Sequence, residues 1–297
     1  GGSSGGSAAA LAAGLTGMEA GSDIGASIRN PAHYCGVYGH KPTWGVVSPK
    51  GHALGGSVAY GDIGVVGPLA RGAEDLEIAM DIMAGPDAID GRGWTLNLPR
   101  SKKKKLRDFK VAVLLSDPNA EVDSSVQAEI QKLADFLAKR KAKVSMTARP
   151  AIDTAEFNDV FIRLLRAATS ARMSDEVYEQ ARKDTAGLAP DDKSYFAQMQ
   201  RGNSLPHRTW LQLNEKRHRM RLAWNAFFDD HDLMLCPVAV TAAFPHDQKG
   251  LRHLRTIAVN NRKVPVVDQI FWAGYAGLTY LPSTVAPIGQ TADGLPV

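Results

Sequence analysis

Two serines sit on glycine-rich turns either side of a small-residue run: Ser3 in GGSSGG and Ser27 in IGASIR, separated by AAALAAG. These residue types suit nucleophilic acyl chemistry. A serine hydroxyl attacks a carbonyl when a neighbouring group takes its proton, and the oxyanion that forms needs fixed donors. The glycines permit unusual backbone angles and let a substrate approach bare N–H groups. Asp23 and Arg29 flank Ser27 and are placed to brace its turn, and Ser4 is placed to hydrogen-bond within the site.

GGSSGGS alone also reads as a flexible linker. The residues after it argue for a site. AAALAAG is a helix-forming run closed by Gly14, and a second glycine–serine turn comes next, succeeded by GVYGHKPTWGVVSPKG. A linker has no reason to precede such an arrangement.

The elements that must position the turns are legible downstream. Leu76, Ala79, Met80 and Met83 recur at helical spacing within 73–84, and KVAVLL at 110–115 reads as a buried strand. VDSSVQAEIQKLADFLAKRKAKV gives an amphipathic helix with Ile130, Leu133, Ala134 and Leu137 on one face, ending before a strand near Lys143–Met146. Strand, helix and strand in that order predict a crossover unit in an α/β sheet. Residues 153–233 are helical in pattern. They offer Phe157, Phe161, Leu164, Leu165, Tyr195, Phe196, Met199 and Trp210, most of them expected as ordinary core.

The stretch GGSSGGSAAALAAG with GSDIGASIRNPAHYCGVYGHKPT resembles the amidase signature family, which hydrolyses amides through a Ser–Ser–Lys triad. The resemblance is dense over residues 1–90 and scattered from there to the C-terminus. It implies Ser27 as the acyl-accepting nucleophile and Ser3 as the bridging serine, set at a cis peptide bond and relaying protons. It implies an oxyanion hole from the N–H groups of Ile24, Gly25, Ala26 and Ser27, with Ser4, Asp23 and Arg29 in support. The family has glycine where this chain has Ala26, a departure of one methyl. The implied fold is α/β: a mixed twisted central sheet covered by helices on both faces. It forms a single domain over 1–297, with 153–233 as a helical subregion on the substrate side.

The family's lysine lies upstream of the bridging serine, so it is expected outside this chain. Lys41, in GHKPT, matches a structural lysine of the motif. Residues 277–297 resemble the family's closing strands and stop where a further strand is expected. The expectation is an internal piece of a longer amidase, nearly or wholly inactive alone for want of the lysine. A linear amide is the implied small-molecule substrate, and a homodimer is among the forms that relatives adopt. Two alternatives stay open. One is the glutamine amidotransferase subunit of a tRNA-dependent complex, from which the segment between Gly51 and Gly67 differs. The other is a non-catalytic binding fragment.

Composition limits the remaining classes. A chain of 297 residues, 44% hydrophobic, can bury a substantial core. A net charge of +4 is too small to imply nucleic-acid binding. Lys102–Lys105 with Arg107 reads as a solvated connection into the following strand. Two cysteines, Cys35 and Cys236, make no disulfide framework, which fits a reducing, cytoplasmic setting. No apolar run approaches the ~18 residues of a membrane span. His207, His218, His231, His246 and His253 are scattered without zinc-ligand spacing, so neither metal nor cofactor is expected. There is no phosphate-binding loop, no dinucleotide fingerprint and no GxSxG elbow.

Overall fold

Alanines drive the first helix, α1 (Gly5–Ala12), and Gly14, at φ +73°, ends it in a conformation that glycine adopts without strain. The chain then runs through β1 (Met18–Asp23), the short signature helix α2 (Arg29–Cys35), β2 (Tyr38–Lys41) and β3 (Val65–Ala70). The computed structural model describes residues 2–52 and 58–297. Part of the Gly51–Gly67 segment, expected to differ from the amidotransferase relatives, therefore lies outside the described residues.

β1 pairs antiparallel with β3 along its whole length, from Met18 opposite Ala70 to Asp23 opposite Val65. β2 adds on the other side of β3. Under this sheet Ala8, Leu11, Ile28, Ala32, Val37 and Leu69 form a small core of their own, holding α1 and α2 against the strands.

α3 (Ala73–Met83) matches the helix expected over 73–84 and buries Leu76 and Ala79. The lysine run follows as an exposed connection into β4 (Lys110–Val113), and Lys103 pairs with Asp232. In β4, Val111, Ala112 and Val113 are all buried, as a strand covered on both faces requires. α4 (Ser124–Lys139) starts where the Asp123 carboxylate accepts the Ser125 N–H, and it leads to β5 (Lys143–Ser145).

The 153–233 subregion is built on the helices α5 (Thr154–Ser170), α6 (Asp175–Gly187), α7 (Tyr195–Asn203) and α8 (His207–Asp230). Asp153, Ser174 and Ser194 cap the first three by accepting backbone N–H groups of their first turns. α5 is the central beam. It buries Phe157, Val160, Phe161, Ile162, Leu164 and Leu165, each worth ~1.5–3 kcal/mol relative to exposure.

β6 (Leu233–Leu235) returns beside β4, giving a parallel sheet in the order β5-β4-β6. A hairpin of β7 (Thr256–Val259) and β8 (Arg262–Pro265) comes next, then α9 (Phe271–Gly277). The last strand, β9 (Ser283–Val285), joins β2, so the antiparallel sheet runs β1-β3-β2-β9 and ties the two ends of the chain together. The fold is the mixed α/β class expected, with its strands grouped into an antiparallel sheet, a parallel sheet and a hairpin. Among the described residues no helix is long and apolar enough to cross a membrane.

Candidate active site

The two serine turns meet. The Ser4 N–H donates to the Ser27 carbonyl at 3.2 Å, so the turn that carries Ser3 lies directly on the turn that carries Ser27. Gly2 is needed for this approach, since a Cβ there would come within 2.9 Å of the Ser27 Cα. The Ser4 hydroxyl is committed elsewhere: it accepts the Ser22 N–H at 3.2 Å and reaches the Ser22 carbonyl at 3.3 Å, fastening the first turn to β1. Ser3 is exposed and Ser27 half-buried, so both residues are open to an incoming molecule. The cis peptide bond implied at Ser3 is not observed; among the described residues there is none.

Asp23 holds the second turn from within. Its carboxylate accepts the N–H groups of Ala26 (2.9 Å), Ile28 (3.1 Å) and Arg29 (3.2 Å), and also Nε and Nη2 of Arg29 at 3.0 and 2.9 Å. Burial opposes its ionisation, but the Arg29 guanidinium and these donors outweigh burial and hold the carboxyl at about 2. The pair is thus a buried, fully bonded brace.

This bracing changes the oxyanion assignment. The Ala26 N–H points at Asp23, which removes it from the expected set of four. The N–H groups of Ile24, Gly25 and Ser27 donate to no protein acceptor among the described residues. Ala26 itself sits at φ +85°, a region that disfavours any Cβ, and it is 1% exposed. The glycine-like angle is kept although the glycine is not. Leu165 of α5 closes over Gly25, where an added Cβ would meet it at 3.2 Å.

α2 is stitched to the far end of the chain. Arg29 Nη1 donates to the Ala273 carbonyl at 2.8 Å, Asn30 to the Gln269 carbonyl at 3.1 Å and the Tyr34 hydroxyl to Gln269 Oε1 at 3.0 Å. A ring nitrogen of His33 meets the Thr241 carbonyl at 3.0 Å. The signature therefore stands on a support built from residues hundreds of positions away.

Lys41 is 1% exposed, and its Nζ donates to the Pro42 carbonyl at 2.9 Å. Burial and the nearby Arg29 charge push it down to about 7, with Asp23 opposing. Cys35 and Cys236 are free, and burial pushes both thiols up, so neither is poised as a competing nucleophile. Among the described residues no group of three or more His, Cys, Asp or Glu could hold a metal ion.

Sequence reasoning missed a second buried ion pair. Arg217, 1% exposed, grips both oxygens of Asp62 at 2.9 Å, while the Tyr280 hydroxyl donates to Asp62 at 2.6 Å. The guanidinium lies 4.5 Å from the Tyr280 ring centroid, and Trp44 stacks on the same ring at 5.0 Å. A signal was present: Arg217 falls in register with Leu213, Met220, Trp224 and Phe227, the buried stripe of α8.

A cavity of about 240 Å³ opens beyond β4 and β5, lined by Phe157, Trp224 and Tyr275 together with Asp117, Arg149 and Thr154. It lies past the C-terminal ends of parallel strands, a common place for ligands in α/β folds. Of the aromatic and apolar residues that the helical subregion offered, Phe157 reaches this cavity. Phe161 and Leu164 are core, and Leu165 packs on the signature turn.

The chain is similar to known proteins along its whole length. A glutamyl-tRNA(Gln) amidotransferase subunit of Helicobacter pylori is 30% identical over all of this chain and 66% of its own length. Indoleacetamide hydrolase of Bradyrhizobium japonicum is 28% identical over all of this chain and 61% of its own. The chain thus spans a little under two thirds of the length of these relatives. In structure, a bacterial aryl acylamidase of the amidase signature family superimposes with a TM-score of 0.75 at 23% identity, over 99% of this chain and 60% of that one. The glutamyl-tRNA(Gln) amidotransferase subunit of Thermotoga maritima gives 0.71 at 24%, over 100% and 60%. At these identities the structures speak to the fold alone. The profile of the Amidase family matches residues 1–297, and the chain belongs to that family.

Proposed function

We propose that the protein hydrolyses the C–N bond of an amide with Ser27 as nucleophile. The observation that carries this reading is the Ser4 N–H to Ser27 carbonyl contact at 3.2 Å, which sets the Ser3 turn against the nucleophile's turn. Ser27 Oγ attacks the carbonyl carbon, and its proton passes to Ser3 and on to a base. The tetrahedral oxyanion is received by the N–H groups of Ile24, Gly25 and Ser27. Collapse expels the amine, which takes a proton back through the relay, and water then frees the acid from the Ser27 ester.

The proposed base is the lysine that the family resemblance implies, rather than Lys41, whose Nζ donates to the Pro42 carbonyl. The aromatic cavity near β4 is the proposed seat of the substrate's apolar portion. The test is release of amine or ammonia from a panel of linear amides by the protein extended upstream through that lysine. Ser27→Ala is expected to lower it roughly a thousandfold or more while leaving the fold intact. Undiminished release would overturn the reading.

The identity to an amidotransferase subunit over the whole chain supports a second reading, in which the amide is glutamine and the ammonia passes to a partner. Glutaminase activity that appears only with partner subunits and tRNA would favour it.

A further inference from the structure

β1 and β3 pair from Met18 opposite Ala70 to Asp23 opposite Val65, and among the described residues β3 is the one neighbour of β1 in its sheet. The N–H and the carbonyl of Ser22 both meet the Ser4 hydroxyl, so they point away from β3. The direction of hydrogen bonding alternates along an antiparallel strand, so Asp23 faces β3 and Gly25 is the next residue that would. Continuing the register would set the Ile63 carbonyl opposite the Gly25 N–H. The ladder would then consume one of the donors beside Ser27.

The chain does not continue so. Ile63 stands at φ +65°, and the Gly64 N–H turns back to the Asp62 carbonyl at 2.7 Å, a γ-turn of the rare and strained hand. A β-branched residue takes such an angle only where its surroundings impose it. Here they grip Asp62. Arg217 Nη1 donates to both carboxylate oxygens at 2.9 Å, the Tyr280 hydroxyl adds a third bond at 2.6 Å, and Arg217 Nε is itself held by Asn214 Oδ1 at 3.1 Å. Trp44 fixes the residue before, with Nε1 on the Gly61 carbonyl at 3.1 Å and its N–H on the Tyr280 carbonyl at 3.2 Å. Just past the turn, Gly64 lies beside Ile24, whose side chain a Cβ there would meet at 3.9 Å.

We propose that Asp62, clasped by Arg217 and Tyr280, is a positioning residue: it holds the Ile63 turn that ends the β1–β3 ladder and keeps the Gly25 N–H free for the oxyanion. The catalytic meaning of the clasp rests on the reading of Ser27 as nucleophile, whereas its effect on the ladder does not. Releasing Asp62 lets Ile63 relax towards extended backbone, and its carbonyl then reaches Gly25.

The test pairs Asp62→Ala with Arg217→Met, which removes both charges together so that neither is left buried alone. Exchange of the Ile24 and Gly25 amide protons with water is read by NMR on residues 1–297. Exchange at Gly25 is expected to slow roughly three- to tenfold, the worth of one net hydrogen bond. Ile24, whose N–H points the other way, is expected to be unchanged. General loosening of the fold would speed exchange, the opposite sign. Tyr280→Phe, which removes the hydroxyl alone, is expected to give a smaller change in the same direction. In the protein extended upstream through the family's lysine, the paired variant is expected to lower kcat roughly tenfold or more with KM little changed, as for a donor that acts in the transition state. Absence of turnover in the wild type would sink the amidase reading and leave the exchange result to decide the role of the clasp. Unchanged exchange at Gly25 in both variants, slowed exchange with kcat unchanged, or a fall in kcat without slowed exchange would overturn the proposal.

Discussion

The Asp23 carboxylate takes Nε and Nη2 of Arg29 at 3.0 and 2.9 Å while also holding the Ala26, Ile28 and Arg29 backbone N–H groups. One buried anion thereby shapes the whole Ser27 turn and anchors the cation that reaches across to Ala273.

Replacing that anion is expected to be costly. Asp23→Asn leaves Arg29 buried without its counter-ion, a loss of ~3–5 kcal/mol. The pH dependence has a definite sign. Because the folded carboxyl is held at about 2, below its usual 3.8, its stabilisation is full above pH ~4 and fades as pH falls towards 2. The fading amounts to ~2 kcal/mol. Urea unfolding of both proteins at pH 7 and pH 2.5 should show the wild type's advantage shrinking by about that much at the lower pH. An advantage independent of pH would contradict the brace.

Ala26 pays for its glycine-like angle of φ +85°. A Cβ in the left-handed region costs ~1–2 kcal/mol, and glycine returns part of that as unfolded-state entropy. Ala26→Gly is therefore expected to raise stability by up to ~1 kcal/mol, seen as a higher urea midpoint with an unchanged slope. A loss of more than ~1 kcal/mol would show that the Ala26 methyl makes contacts worth more than the strain.

Lys41 gives the opposite pH signature to a lysine that gains a partner on folding. Its folded value of about 7 lies below the ordinary 10.5, so between those limits the unfolded chain binds the extra proton. Its contribution to stability accordingly rises with pH from about 7 towards 10.5. Lys41→Met should flatten that rise, and the Lys41 ¹³Cε resonance should titrate near neutrality. A lysine that stays protonated to pH 10 would mean that Asp23 outweighs burial at this position.

Much of the fold was legible because its causes are local. The helical pattern of the 124–139 segment and of the 153–233 subregion, and the apolar β4 strand, each follow from neighbours in sequence. The serine turns were legible for the same reason: the glycines that shape them lie beside them. The long-range relationships escaped. Nothing near Asp62 announces that Arg217 will bind it. The Ala26 N–H shows the limit within the motif itself. The family resemblance places it in the oxyanion set, but only the path of the turn reveals that Asp23 takes it.

The most direct test of the central claim is covalent. Labelling with a fluorophosphonate probe, followed by peptide mass spectrometry, reports which serine is activated. It is best run on residues 1–297 and on a version extended upstream through the family's lysine. The account predicts an adduct on Ser27 in the extended protein, little or none in the shorter chain, and none in Ser27→Ala. Equal and rapid labelling of both forms would contradict the proposed base, and an adduct on another residue with Ser27 unmodified would contradict the nucleophile.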